Sequence, residues 1–305
     1  MSDKEKKYET EWSFSFDNIG ESISNTLNSM GVGGDTEIKT RSFVEPLEDA
    51  TEARVVLEPT IGEASVTALA NSDDLIQADL IYVGEVKFEV RTQDQTHKTV
   101  LLRQNIPNDV LKPIRNAFGS FVRRDELRWD MRLTPNIPLD VQINSGVTRN
   151  DFDLSGLQIT GLSINGGTGN TDLKLPTMGS KYKVAINSGT GNLNLQIPDG
   201  GAIDLNVNNG TGKTEIAIGS GANIDAHLTG GVGQTIVTVP ANAAVRVRAT
   251  SGLGKVAMPE NFIRVKVEEF VATVGTWETP NYETAEQVIN IRYEGGVGKF
   301  AIKLA

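Results

Sequence analysis

The chain has no cysteine, only two histidines and few aromatic residues, and each scarcity closes a class of function. Without cysteine there is no disulfide framework, no thiolate zinc site and no cysteine nucleophile. His97 and His227 lie far apart in sequence, so a histidine-rich metal centre or histidine-based catalysis has little to build on. No run approaches the roughly 18 apolar residues of a membrane-spanning helix. The N-terminal MSDKEKKYETEWSFSF has neither the apolar core nor the small-residue cleavage site of a signal peptide. The expected location is therefore the cytoplasm, with any membrane contact expected to be peripheral at the inner face.

Net basic charge is missing as well. The formal charge is -10, and residues 1–140 hold 16 Lys and Arg against 25 Asp and Glu. No segment offers the cationic face that displaces counterions from a nucleic acid, which excludes that partner.

What the chain has is glycine, 31 residues of it, in a recurring phrase. INSGVT, INGGTG, INSGTG, VNNGTG, LTGGVG, ATSGLG and YEGGVG place reference glycines at Gly146, Gly167, Gly189, Gly210, Gly231, Gly252 and Gly296. The spacing is 21 or 22 residues except for the last, 44, where a unit has lost its phrase or taken an insertion. Apolar residues recur three and five positions before each glycine (Ile186 and Val184, for example) and six and eight after it (Leu195 and Ile197), with Glu260 the exception at the last position. That is period-2 alternation in two short strands per unit, each with one buried face. Two half-buried strands cannot bury their own apolar face, so units must stack.

The expected fold is therefore all-β, a β-solenoid-like stack of about 21-residue two-strand coils, roughly 35 Å long at about 4.8 Å per rung. An antiparallel meander is the rival; it would require only alternation, not the same character at equivalent positions. Stacking would create a ladder of Asn144, Asn165, Asn187 and Asn208, continued by Thr229 and Thr250. It would also create a Thr168, Thr190, Thr211 column that decays to Val232 and Leu253 and so reads as structural.

Outside the repeat, residues 41–140 form an acidic β-rich module with strands expected near 53–60, 64–70, 77–83, 85–91 and 98–104. A helix is expected over 107–124, and an atypical insert over 271–287, within the repeat region 141–305. Residues 1–40 form an amphipathic arm. Trp12, Phe14 and Phe16 alternate as in a strand, whereas Ile19, Ile23, Leu27 and Met30 recur at helical spacing. These seven residues are the candidate interaction site, either capping the stack or docking on a partner.

Motifs for chemistry fail on inspection. GTGKT at Gly210–Thr214 has part of a phosphate-binding loop, but Val207 stands where that loop needs glycine. The repeat's carboxylates, Asp151, Asp153, Asp172, Asp199, Asp204, Glu215 and Asp225, mostly occupy different positions in their units and do not pair into a glycan-cleaving site. The expectation is no enzymatic activity, no cofactor and no metal.

The run from Trp129 to Pro176, with Pro135, Pro138, the DLSGL turn and repeated GxG, resembles the toast-rack domain family, which includes C-terminal regions of bacterial cell-wall-active antibiotics response proteins. Residues 53–69, ARVVLEPTIGEASVTAL, are similar to its N-terminal module. The resemblance implies a β-solenoid-like, non-catalytic domain serving protein–protein contacts, tethered in some relatives to a membrane where it tunes an envelope-stress sensor kinase. The 40 leading residues depart from that pattern because they hold no transmembrane helix. The expected role is a bacterial interaction or scaffold protein whose partner is a second copy, joined through its ends or its arm, or an unidentified protein. Regulation of an envelope-stress response and a glycan-binding adhesin are the alternatives.

Overall fold

The computed structural model describes residues 38–93, 96–106, 127–266 and 274–305. The arm from Trp12 to Met30, the helix expected over 107–124 and the first three residues of the insert lie outside the described residues. The strands are β1 Lys39–Pro46, β2 Glu52–Glu58, β3 Ile61–Ala68, β4 Asp74–Tyr82, β5 Glu85–Gln93, β6 His97–Asn105, β7 Arg128–Leu133, β8 Pro138–Asp153 and β9 Gln158–Thr168. They continue with β10 Thr171–Lys174, β11 Tyr182–Thr190, β12 Leu193–Ile197, β13 Ala202–Ile218, β14 Asn223–Val239, β15 Ala244–Ala257, β16 Ile263–Lys266, β17 Val274–Glu278 and β18 Val288–Leu304. One 3₁₀ turn, Tyr282–Thr284, is the only helical element among the described residues.

The described residues are all-β apart from that single turn, and their 18 strands join one hydrogen-bonded sheet. Repeat units pair in parallel and in register, so the meander is not the solution. Alternation then delivers continuous inward columns. Val55, Val141, Leu162, Val184, Leu205, Ala226, Ile291 and Val247 lie one above the other. Leu57, Ile143, Ile164, Ile186, Val207, Leu228, Tyr293 and Ala249 form the next column. All sixteen side chains are buried in one core. Neighbouring units also bond through their turns, as where the Gly169 and Gly191 N–H groups donate to the Thr190 and Thr211 carbonyls.

The arrangement departs from a chain-order stack in two ways. First, the parallel pairs close a ring, β8–β9–β11–β13–β12–β10 and back to β8, with the remaining strands bonded outside it. It closes because β8 and β13 run unbroken through both halves of a unit, whereas the two units between them are split at Asn170 and Asn192. Second, β18 is inserted between β14 and β15. The 44-residue gap in the repeat is the excursion that makes this insertion possible: β17 and β16 run antiparallel outside β15, and the chain then returns as β18.

The acidic N-terminal strands continue the same pattern. β2 and β3 pair in parallel with β8, and β6 and β7 pair in parallel with β2 and β3. The end is finished by antiparallel strands, β5 on β6 and β4 on β7, with β1 outermost on β4. At the other end β17 covers only Arg246–Thr250 of β15, so among the described residues the second half of that strand pairs with β18 alone.

Candidate interaction surfaces

Trp12, Phe14, Phe16, Ile19, Ile23, Leu27 and Met30 all lie outside the described residues. Of the surfaces that follow, the Asn ladder and the Thr column were expected from the sequence, and the Lys98 cluster, the aliphatic ridge and the cleft were not singled out there.

Much of the outer face is occupied with itself. The Asn187 amide donates to Asn165 and that of Asn165 to Asn144, both at 2.8 Å; Asn144 in turn donates to Glu58, which Arg103 also engages. Thr168, Thr190 and Thr211 stack in register beside this ladder. Asp151 and Asp172 are neighbours, but the Asn194 amide donates to Asp172 at 2.6 Å, and among the described residues no three metal-ligating side chains converge.

At the N-terminal end Lys98 of β6 is almost completely buried, and its ammonium donates to Glu45 at 2.6 Å, to Glu48 at 2.8 Å and to the Pro46 carbonyl at 2.7 Å. Burial works against its charge, but the two carboxylates outweigh that and hold its pKa above the ordinary lysine value. Glu45 and Glu48 belong to β1 and the turn after it, so this cluster ties the outermost strand to the stack.

The C-terminal end is different. One position after the reference glycine, Val232, Val297 and Leu253 succeed one another on adjacent rungs and are 54%, 49% and 76% exposed. Two residues further along, Lys299 and Lys255 flank this aliphatic ridge. On the first half of the same units lies a cleft of about 420 Å³ lined by Asp204, Asp225, His227, Arg248, Asn290 and Arg292. The Lys181 ammonium and the Asn290 amide hold the Asp225 carboxyl below its usual range, against a smaller opposing effect of burial. Arg246, which also lines the cleft, is committed to Glu278 and Glu283 and lies over the Tyr282 ring. The one trace of the ridge in the sequence is the change of the Thr column to Val and Leu. The cleft left no trace, because Asn290 and Arg292 come from the last unit of the chain and reach His227 and Arg248 only through the insertion of β18.

Solved structures similar to this chain include two described as adhesion proteins. A candidate cell adhesion protein from Clostridium sporogenes is 17% identical, with a TM-score of 0.45 over 88% of this chain and 100% of that one. A candidate adhesin from Bacteroides fragilis is 10% identical, with a TM-score of 0.35 over 87% of this chain and 96% of that one. No curated protein sequence matches. The family model described as the N-terminal domain of toast_rack, DUF2154, matches residues 32–196. That match spans more than half of the chain, from before β1 to the end of β12, and the chain belongs to the toast_rack N-terminal domain family.

Proposed function

We propose that this protein is a non-catalytic interaction and scaffold protein, a β-solenoid that associates head to tail with further copies of itself. The observation that carries this reading is the Val232–Val297–Leu253 ridge. Single exposed aliphatic side chains are ordinary, whereas three on consecutive rungs make a contact patch. The ridge lies at the end where the second half of β15 has no outer strand among the described residues, and such an edge favours added pairing.

Charge selects the occupant. Residues 244–266 and 274–305, which form the C-terminal end, carry eight Lys and Arg against five Glu, whereas residues 38–93, which supply the outermost strands of the opposite end, carry five against eleven Asp and Glu. The basic end of one copy therefore complements the acidic end of the next, a heterologous contact that propagates instead of closing.

Sedimentation velocity of the full chain over a concentration series, at low and at high salt, tests this. Species that grow with concentration at low salt and dissociate at high salt are expected, because screening weakens such contacts. Leu253→Asp and Lys255→Glu should remain monomeric without a change in melting temperature. A single monomeric species at every concentration in low salt would overturn self-association.

A further inference from the structure

We infer that the cleft over β14, β18 and β15 binds a carboxylated sugar, its carboxylate held by Arg248 and Arg292 beside His227. The cleft and the Val232–Val297–Leu253 ridge share no side chain, although Arg248 and Arg292 also add to the positive charge that the head-to-tail reading invokes.

The insertion of β18 builds the site. His227, Arg292 and Arg248 occupy the same position in three units, and the spatial order of those units places Arg292 directly between the other two. Rungs are about 4.8 Å apart, so three basic side chains are crowded onto one column. Like side chains of this kind directly opposite each other are unfavourable in a sheet unless something between them compensates. Compensation on the protein is incomplete. Arg292 is engaged by Glu294 from its own strand. That same carboxylate lies 3.8 Å from His227 Nε2, beyond hydrogen-bond range, and leaves this buried nitrogen without a hydrogen-bond partner. Arg248 has no hydrogen bond or ion pair among the described residues. The uncommitted Arg248 guanidinium on this cleft is a donor without an acceptor, and a carboxylate matches the fork of a guanidinium.

The rest of the lining decides what carries that carboxylate. Asp204, Asp225 and Asn290 form the adjoining column. Asp225 is satisfied by Lys181 and Asn290, and Asp204 has no partner among the described residues. An extended polyanion, whether nucleic acid, an acidic peptide or an anionic lipid face, would bring further negative charge onto these two carboxylates. A ligand with one carboxylate and several hydroxyls would not: its hydroxyls donate to Asp204 and accept from Asn290 while its acid group meets the arginines. The cleft, of about 420 Å³, is an open groove and not an enclosed cavity, which suits a ligand that stays partly solvated, as a sugar does.

Calorimetric titration of the full chain with glucuronate and with digalacturonate tests the assignment, with glucose, a tetraglutamate peptide and inorganic sulfate as controls. Either acidic sugar should bind, and glucose, the peptide and sulfate should bind at least about tenfold more weakly, the cost of losing one charge-assisted contact or adding a repulsive one. Arg248→Gln and Asp204→Asn should each weaken sugar binding by about tenfold at an unchanged melting temperature. No binding of either acidic sugar would overturn the inference, as would equal binding of sulfate or peptide, or an affinity that Arg248→Gln leaves untouched.

Discussion

Tyr293 lies against Phe300 with ring centroids 4.2 Å apart and planes 14° from parallel, in the space that two glycines leave open. Tyr293 stands in a column otherwise filled by Leu, Ile, Val and Ala, and its larger side chain reaches toward the corner of the unit, over Gly295 of its own strand and Gly230 of β14. A Cβ at Gly230 would come within 2.7 Å of the Tyr293 hydroxyl, and one at Gly295 would overlap it more severely. Neither glycine has a positive φ, so the constraint is the ring and not the backbone. Gly295→Ala should therefore cost about 1–3 kcal/mol as an overpacking change. Tyr293→Ile in the same chain should restore part of that loss. Urea unfolding of both single variants and the double variant would measure the coupling; additive losses would show that ring and glycine do not contact each other.

The inward columns give a second prediction. Ile186 and Leu195 are 2% and 1% exposed, on the two faces that meet inside one unit, whereas Thr190 at the turn between them is exposed. Ile186→Asp or Leu195→Asp buries a charge with no partner and should cost several kcal/mol. Thr190→Ala should cost under about 1 kcal/mol. Thermal melts of the three variants separate the cases, and equal melting temperatures would contradict the inward assignment.

Two glycines of the same surface should behave in opposite ways. Gly191 has φ of 143°, and a Cβ there would overlap the Gly169 carbonyl of the unit beneath, while a Cβ at Gly179 meets nothing within 4 Å. Gly191→Ala combines a conformation that L-residues avoid with a backbone overlap that no side-chain rotation relieves. It should destabilise by more than about 2 kcal/mol, and Gly179→Ala should lie within about 0.5 kcal/mol of the parent chain. Calorimetric melting temperatures of the pair check this directly.

The repeat was legible because each unit states its own geometry: glycine where the backbone must turn against its neighbour, and alternating apolar residues where side chains turn inward. The strands near 53–60 and 98–104 were legible for the same reason, and the structure has them at Glu52–Glu58 and His97–Asn105. The order of the units was not. Ile289 and Ile291 of β18 fit against β14 as well as Val245 and Val247 of β15 would, so local pattern gives no preference between the two neighbours. Only the antiparallel excursion through β16 and β17, which occupies the outer side of β15, leaves β18 the inner position. The cleft residues inherit that blindness: His227, Arg248 and Arg292 form no motif in chain order and become neighbours only once β18 has been placed. The ridge was visible as the change from Thr to Val and Leu, but polar decay and apolar gain look alike until exposure is known.

Lys98 gives the last prediction, and its sign can be worked out. Its ammonium holds the buried Glu45 carboxylate and the Glu48 carboxylate together across β6 and β1. Lys98→Met leaves Glu45 buried without its cation and should cost about 3–5 kcal/mol, while a combined Lys98→Met, Glu45→Leu change should recover much of that. The pKa of Lys98 is raised in the folded chain, so the cluster's stabilisation is full below the ordinary lysine value of roughly 10.4 and is lost as pH climbs through the raised one. The parent chain should therefore lose stability steeply in alkali, above about pH 10, and the double variant should lose less over the same range. Urea midpoints measured from neutral pH to the alkaline limit decide it: parallel curves for parent and double variant would mean that the ion cluster contributes nothing to anchoring β1.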